Sequence, residues 1–490
     1  MGFLFYSYTS FSPNLISIFF GFYLISYIAF SIFYSSRLVY GVPNFYSKSY
    51  NFLVFILGSL IISSLWNSNI SFLSFNGLLS ISDHNSMFEF IILFISLCCM
   101  MISHNYVHYQ KVFQYEYIAF IIFSIFGLIL ICYSNDILLL YVVLELQSLA
   151  FYLLAAFNWN SDYNVEAGLK YFVLGSFSSC LMLFGFSMVY FVCGTTNLET
   201  IKQLAVCSKN FNLLLMGIIF ILVAFLHKVG AFPYHNWVLD IYEGSMTSVT
   251  AFFAIVPKLV LFYLVLKLFF LTFFVENVFW TSIVLFSSTF SVFVATFGAI
   301  YQKKLKRLLA YSAISHTGFI LLAIKTCTLN SINAYIFYNL VYVFINITLF
   351  AIVFLSITSS SFLKYLINWN IAFKRNFAII TLFTLTLFSV AGIPPLTGFF
   401  SKLLVFLSLL GSGDNIVVAF LIAVISCIGC FYYIRLIKFF FFGNSSKGFW
   451  ILSISRNVES ILIFSTTIIL FCLIRPNCLL FTSHLLPLFF

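Results

Sequence analysis

Apolar residues along this chain neither alternate nor recur every third or fourth position; they fill long runs separated by short polar breaks. A helical run of about twenty apolar residues matches the ~30 Å hydrocarbon thickness of a bilayer. Lipid offers no hydrogen-bond partners, so a helix is also the form in which such a segment satisfies its own backbone. The pattern predicts spans at 12–34, 51–66, 87–103, 115–133, 135–157, 166–193, 211–232, 247–272, 278–301, 306–324, 331–358, 376–410, 415–442 and 457–481. The fold class expected is an all-α polytopic membrane protein with about fourteen transmembrane helices. Two runs carry breaks, one at Gly230 to Pro233 and one at Pro394-Pro395.

Charge checks the count. One set of alternate connections holds fourteen basic residues: Arg37, Lys48, Lys111, Lys303, Lys304, Lys306, Arg307, Lys364, Lys374, Arg375, Arg435, Lys438, Lys447 and Arg456. The opposite set, termini included, holds five: Lys202, Lys209, Lys267, Lys325 and Arg475. A miscounted span would scramble this asymmetry, and because positive loops stay inside, both termini are expected outside. The net charge of +10 therefore reads as a topology signal rather than as a nucleic-acid surface.

With 63% hydrophobic and 7% charged residues and a mean hydropathy of +1.11, the 490 residues are expected to form one membrane domain with little left for a soluble head. The eleven cysteines give neither a disulfide framework nor a metal cage, and Cys427 and Cys430, a CxxC inside a membrane run, read as small helix-packing residues. No Arg-rich presequence precedes the first span, so the chain is expected either to be inserted from the compartment where it is made or to be bacterial. Its 68 phenylalanines look like the imprint of a T-rich genome and favour an organelle.

Four lysines fall outside both charge sets: Lys170, Lys228, Lys258 and Lys402. Ionisable groups inside a membrane are costly and mark ion pathways by default, each with a partner or internal water. Lys228 stands directly before the first break and His235 seven residues on, about two turns along one face had the helix continued. Lys258 follows Pro257 deep in the eighth span, and Lys402 follows the second break. Glu145, in mid-span, needs a cation or water; its bland reading is a structural hydrogen bond. For Lys170, near the start of its span, reaching out to the membrane surface is an equal rival. His316 sits among Ser312, Ser315 and Thr317, which could hold water, against the common reading of a satisfied core histidine; His227 reads as incidental. Lysine in a poorly solvated site and histidine near neutrality can release and recover protons, whereas arginine, absent from the interior, cannot.

Val229-Gly230-Ala231-Phe232-Pro233 is echoed 161 residues later by Val390-Ala391-Gly392-Ile393-Pro394. Paired interrupted helices in two halves are the sign of a transporter built from inverted repeats, and the seventh and twelfth spans are an odd number of crossings apart. The chain has no GxGxxG, no Walker loop and no cluster-ligating cysteine run. It is not expected to oxidise a nucleotide or hydrolyse ATP by itself.

The runs LELQSLAFYLLAAF, EAGLKYFVLGSFSSCLMLFG, HKVGAFPYHNW, LDIYEG, KRLLAYSAISHTG, AGIPPLTGFFSKLLVF and IGCFYYIRLIK resemble the subunit 2 family of NADH:ubiquinone oxidoreductase, respiratory complex I. The resemblance covers about Leu138 to Lys438. It implies an antiporter-like proton-pumping module with two inverted five-helix repeats and broken seventh and twelfth helices. The corresponding division is 1–114, 115–272, 273–442 and 443–490. It implies a proton relay in which Glu145 and Lys228 form a charge pair assisted by Lys170. His235 follows the first break, Lys258 carries protons across the centre, and Lys402 serves the outward half; His316 joins this set. It also implies membrane-arm partners, lipid and no nucleic acid, and an inner mitochondrial or bacterial membrane. NADH, FMN, iron-sulfur clusters and ubiquinone would belong to other subunits, with no cofactor or metal in this chain. Val238-Leu239 stands where the family has a proline before the aspartate, here Asp240, and His227 where it has an apolar residue. The rivals are a free-standing cation/proton antiporter and a scaffold whose relay has decayed.

Overall fold

The computed structural model describes residues 43–66, 72–110, 115–207, 211–274, 277–357, 366, 377–411, 415–442 and 456–474. The expected span at 12–34 lies outside these residues, as do Arg37, Lys111, Lys209, Lys364, Lys374, Arg375, Lys447 and Arg475. The helices, in order, are α1 Pro43–Trp66, α2 Asp83–Tyr109, α3 Tyr115–Tyr133, α4 Ile137–Ala155, α5 Asp162–Cys193 and α6 Leu198–Cys207. Then come α7 Phe211–Val229, α8 Asn236–Gly244, α9 Thr247–Val265, α10 Asn277–Ile300, α11 Leu305–Ile324 and α12 Leu329–Ile357. The last four are α13 Phe377–Ala391, α14 Thr397–Leu410, α15 Ile416–Phe442 and α16 Arg456–Ile474. Each apolar run among the described residues is a helix, and ten helices are long and apolar enough to cross a membrane. The hydropathy pattern did not predict the short helices α6 and α8, nor the antiparallel hairpin of β1 Phe72–Ser74 and β2 Leu79–Ile81, whose turn places Asn76 and Gly77 at positive φ.

The hydroxyls inside these helices bond their own backbone. Ser96, Ser124, Ser178, Ser291, Thr317 and Thr348 each donate to the carbonyl three residues earlier. That arrangement satisfies a polar group in hydrocarbon without a partner helix.

Two compact units divide the chain, Met1–Phe225 with Gly244–Val275, and Leu226–Glu243 with Glu276–Phe490. In the first, the segments expected outside meet one another. Leu79 bridges to Ser134 and Asp136 to Asn197. Asp136 also caps α4 through Leu138 N–H at 2.8 Å and accepts from Thr196 Oγ1 at 2.6 Å. In the second unit, the segments expected inside meet one another. Lys304 and Arg307 pair with Glu243, Arg307 lies 3.6 Å from Asp240, and Leu366 N–H donates to Lys303 O. Arg435 donates to the carbonyls of Ile300 and Gln302 at 2.5 and 3.0 Å.

One expectation is corrected. Lys267, counted with the outer connections, lies in a π-helical turn, Leu266–Thr272, that continues α9, and it is buried. Its charge is held by carbonyls rather than by water, so it is no topology signal.

The orientation can be measured with single-cysteine labels in sealed membranes. Tyr301→Cys, in the α10–α11 connection, is expected to be shielded from an outside reagent. Thr200→Cys, in the connection that carries α6, is expected to react. The reverse accessibility would overturn the orientation.

Candidate functional site

Both helix breaks are built alike. At the first, Gly230 takes φ +77 and donates to Leu226 O and His227 O at 3.0 Å, while Ala231 N–H reaches back to Leu226 O at 2.9 Å. At the second, Gly392 takes φ +78 and donates to Phe388 O and Ser389 O at 3.1 Å, while Ile393 N–H reaches back to Phe388 O at 3.1 Å. This is the left-handed glycine cap that closes a helix by satisfying its last carbonyls. Cis peptides follow at Phe232-Pro233 and Pro394-Pro395. The breaks therefore correspond at a separation of 162 residues, one more than the sequence echo suggested. Matching valine to valine had set Gly230 against Ala391, but the backbone needs glycine at the positive-φ position.

Around the first break, Lys228 is half-buried in the last turn of α7. His227 beside it is buried, with its ring parallel to Trp237 at 5.9 Å, and Trp237 Nε1 donates to His227 O at 2.8 Å. His227 therefore belongs to the packing that pins α8 beneath the break. His235 does not share a helical face with Lys228 as the spacing would allow, because α7 ends at Val229 and α8 starts only at Asn236. It sits on the far side of the break, buried, with its ring stacked 5.8 Å from Phe232. Val238, Leu239 and Asp240 all lie within α8, which runs through them unbroken.

Around the second break, Lys402 turns back along α14, and its Nζ donates to the freed carbonyl of Ala391 at 2.7 Å. The ammonium also stands 5.2 Å over the ring of Phe319, a cation–π contact. Phe319 stacks on Tyr338 at 6.1 Å, and the Tyr338 hydroxyl lies 2.9 Å from His316 Nδ1. Ser312, His316, Tyr338, Tyr342, Asn346 and Ser401 line a small cavity between α11, α12 and α14. It is on the scale of about one water molecule. Ser312 and Ser315 donate to their own helix, and Tyr338 holds His316 Nδ1. The sequence reading passed over Tyr338 and Phe319, although Tyr335, Tyr338 and Tyr342 recur at helical spacing on a buried face. Cys430 Sγ approaches Ala391 O at 3.6 Å, and Cys427 and Cys430 are both free thiols.

The first unit holds the other candidates. Glu145 is half-buried in α4, with one oxygen 3.4 Å from Ser148 Oγ and the other without a hydrogen-bond partner. Lys258 is 4% exposed, and α9 passes through Pro257 unbroken. Lys170 pairs with Glu166 one turn earlier at 2.6 Å on an exposed face of α5, as a lysine directed outward would. Among the described residues, no group of three or more His, Cys, Asp or Glu is placed to hold a metal ion.

Residues 134–429 match the family described as NADH:quinone oxidoreductase/Mrp antiporter, TM. The chain belongs to this family. NADH-ubiquinone oxidoreductase chain 2 of Marchantia polymorpha is 33% identical over 471 residues, covering 92% of this chain and 95% of its own length. NADH-quinone oxidoreductase subunit N of Pelagibacter ubique is 35% identical over 432 residues, 87% of this chain and 89% of its own. A chain in the structure of respiratory complex I from Thermus thermophilus with bound aureothin shares the fold, with a TM-score of 0.75 at 23% identity over 94% of this chain and 98% of that one. As a member of the NADH:quinone oxidoreductase/Mrp antiporter family, the chain is a multi-pass membrane protein, and both helix breaks lie inside the matched region.

Proposed function

We propose that this chain is a proton-translocating membrane-arm subunit of an H+-translocating NADH:quinone oxidoreductase, coupling quinone reduction in other subunits to proton transfer across the membrane. The observation that carries this is the match to chain 2 and subunit N relatives along almost the whole chain. NADH, flavin, iron-sulfur and quinone chemistry then belongs to partner subunits, and the membrane is the mitochondrial inner membrane. Two inverted repeats, 115–272 and 273–442, each carry one break, at helices seven and twelve of fourteen.

Within this reading Glu145 is a carboxylate whose charge biases the relay, Lys228 takes up and releases protons at the first break, and Lys258 relays them across the centre. Lys402 exchanges its proton through the cavity beside His316 and Tyr338, while the Ala391 carbonyl holds its ammonium form. His235 hands protons past the first break, and Lys170 assists from the exposed face.

A native gel stained for NADH oxidation tests the assignment. The chain is expected in a large NADH-active assembly, and a chain that runs alone would favour the free-standing antiporter. Glu145→Gln keeps the shape and removes the charge. It is expected to assemble normally and to lower the proton-pumping rate by about a hundredfold, the lower end of what a positioned acid–base group contributes. Parental pumping at parental electron transfer would make Glu145 structural.

A further inference from the structure

The relay leaves unused a buried charged cluster at the outer end of the first unit. Glu89, in α2, is 5% exposed and Lys267, in the π-helical turn after α9, is 6% exposed. Both bind the same short segment at the end of α3. The Tyr133 hydroxyl donates to Glu89 Oε2, while Lys267 Nζ donates to Cys132 O at 2.9 Å and Ser134 O at 2.6 Å. The next residue leads to the surface, since Asn135 Nδ2 lies 3.4 Å from Oε1 of Glu199, an exposed carboxylate within electrostatic reach of Lys267. Behind the cluster, Tyr263 donates to Asn85 Oδ1 at 2.5 Å and packs on Phe88 at 4.1 Å. Lys258, Tyr263 and Lys267 stand five and four residues apart on one helix, about 13 Å in all at 1.5 Å per residue.

A structural role explains part of this. A lysine on the last carbonyls of α3 completes that helix end and answers its dipole. It does not explain Glu89, because a buried carboxylate is not needed to cap a helix and is costly unless its charge is used or balanced. The arrangement also has a direction, with a buried acid at one end and an exposed acid at the other, on the side where the outer connections meet.

We propose that Glu89, Tyr133, Lys267 and Glu199 form an outward proton-release site of the first unit, fed along α9 from Lys258. The Glu89 carboxylate takes up a proton, with Tyr133 as its hydrogen-bond partner, and releases it towards Glu199 and the outer water, regenerating the carboxylate. The ammonium of Lys267, held by the Cys132 and Ser134 carbonyls, favours that regeneration. Glu89 is the proton-carrying group, Lys267 and Tyr133 position it, and Glu199 is the surface acceptor. This rests on the proton-translocating reading given above.

The test uses the assembled complex in sealed vesicles, with NADH-driven pumping normalised to assembled enzyme and with the outer-side pH varied. Glu89→Gln, which keeps the acceptor for Tyr133, is expected to assemble and to pump about a hundredfold more slowly, the lower end of the range for loss of an acid–base group. Glu89→Asp is expected to pump with a shifted dependence on outer-side pH, which a purely structural carboxylate would not produce. Parental pumping in Glu89→Gln overturns the proposal; if that variant fails to assemble, an unshifted outer-pH dependence in Glu89→Asp overturns it. Lys228→Arg is measured alongside. If it impairs pumping while the Glu89 variants do not, the release site alone is wrong; if neither affects pumping, the relay itself is wrong.

Discussion

Lys228→Arg is expected to impair proton translocation as severely as Lys228→Ala, although arginine keeps the positive charge. The lysine sits half-buried in the last turn of α7, two residues before the glycine that closes the helix. A fixed cation there would be well placed: the end of a helix carries unsatisfied carbonyls and partial negative charge, and either side chain would answer it. A carrier needs more, because it must give up its proton and recover it, and arginine does not deprotonate in proteins. The two roles separate in one experiment. Initial rates of NADH-driven pumping, normalised to assembled complex, should fall by at least about tenfold in both variants, in line with the loss of a positioned proton-transfer group. An arginine variant that pumps like the parent while the alanine variant fails would show that constant charge suffices at this position.

The sequence was most informative where a physical constraint is absolute. Hydrocarbon forces each apolar run into a helix, and so α2 to α5 and α9 to α12 lie where the hydropathy pattern put them, to within a few residues. The lysines stood out for the same reason. Less legible was whatever depends on backbone conformation or on side chains from distant segments. The breaks were located but misaligned by one residue, because the echo of valine and proline conceals which position needs positive φ. Periodicity would put His235 on the face of Lys228 only along a continuous helix, and Gly230 has already ended it. Lys402 bonds a carbonyl that exists as a free acceptor only because the break opens it. Glu89 gave no signal, since a single carboxylate at the third residue of the 87–103 run reads as the polar end of a span. The hydroxyl that donates to it belongs to Tyr133, 44 residues further along the chain.

Gly398→Ala is expected to collapse the second break and with it the position of Lys402. A Cβ on Gly398 would lie 1.7 Å from Ser389 O and 2.7 Å from Ser389 C. Both are backbone atoms, so no rotamer change relieves the clash. Ser389 O also accepts from Gly392 N–H at 3.1 Å, and pushing it aside would loosen the cap that ends α13. Lys402 is one turn after Gly398 on α14, and a shift of that helix large enough to admit a methyl group would separate Nζ from Ala391 O, now 2.7 Å away. Overpacking an ordinary core costs about 1–3 kcal/mol, largely through side-chain adjustment; a contact with backbone lacks that relief and should exceed the range. The expected result is little assembled complex at the parental growth temperature, and in what assembles, impaired pumping with electron transfer affected to the same degree. Gly58→Ala in α1 is the control: nothing among the described residues lies within 4 Å of the added methyl group, and alanine favours a helix interior by about 1 kcal/mol. If the two variants accumulate and pump alike, the close approach of α14 to Ser389 does not set the position of Lys402, and the second break tolerates a geometry other than the one described.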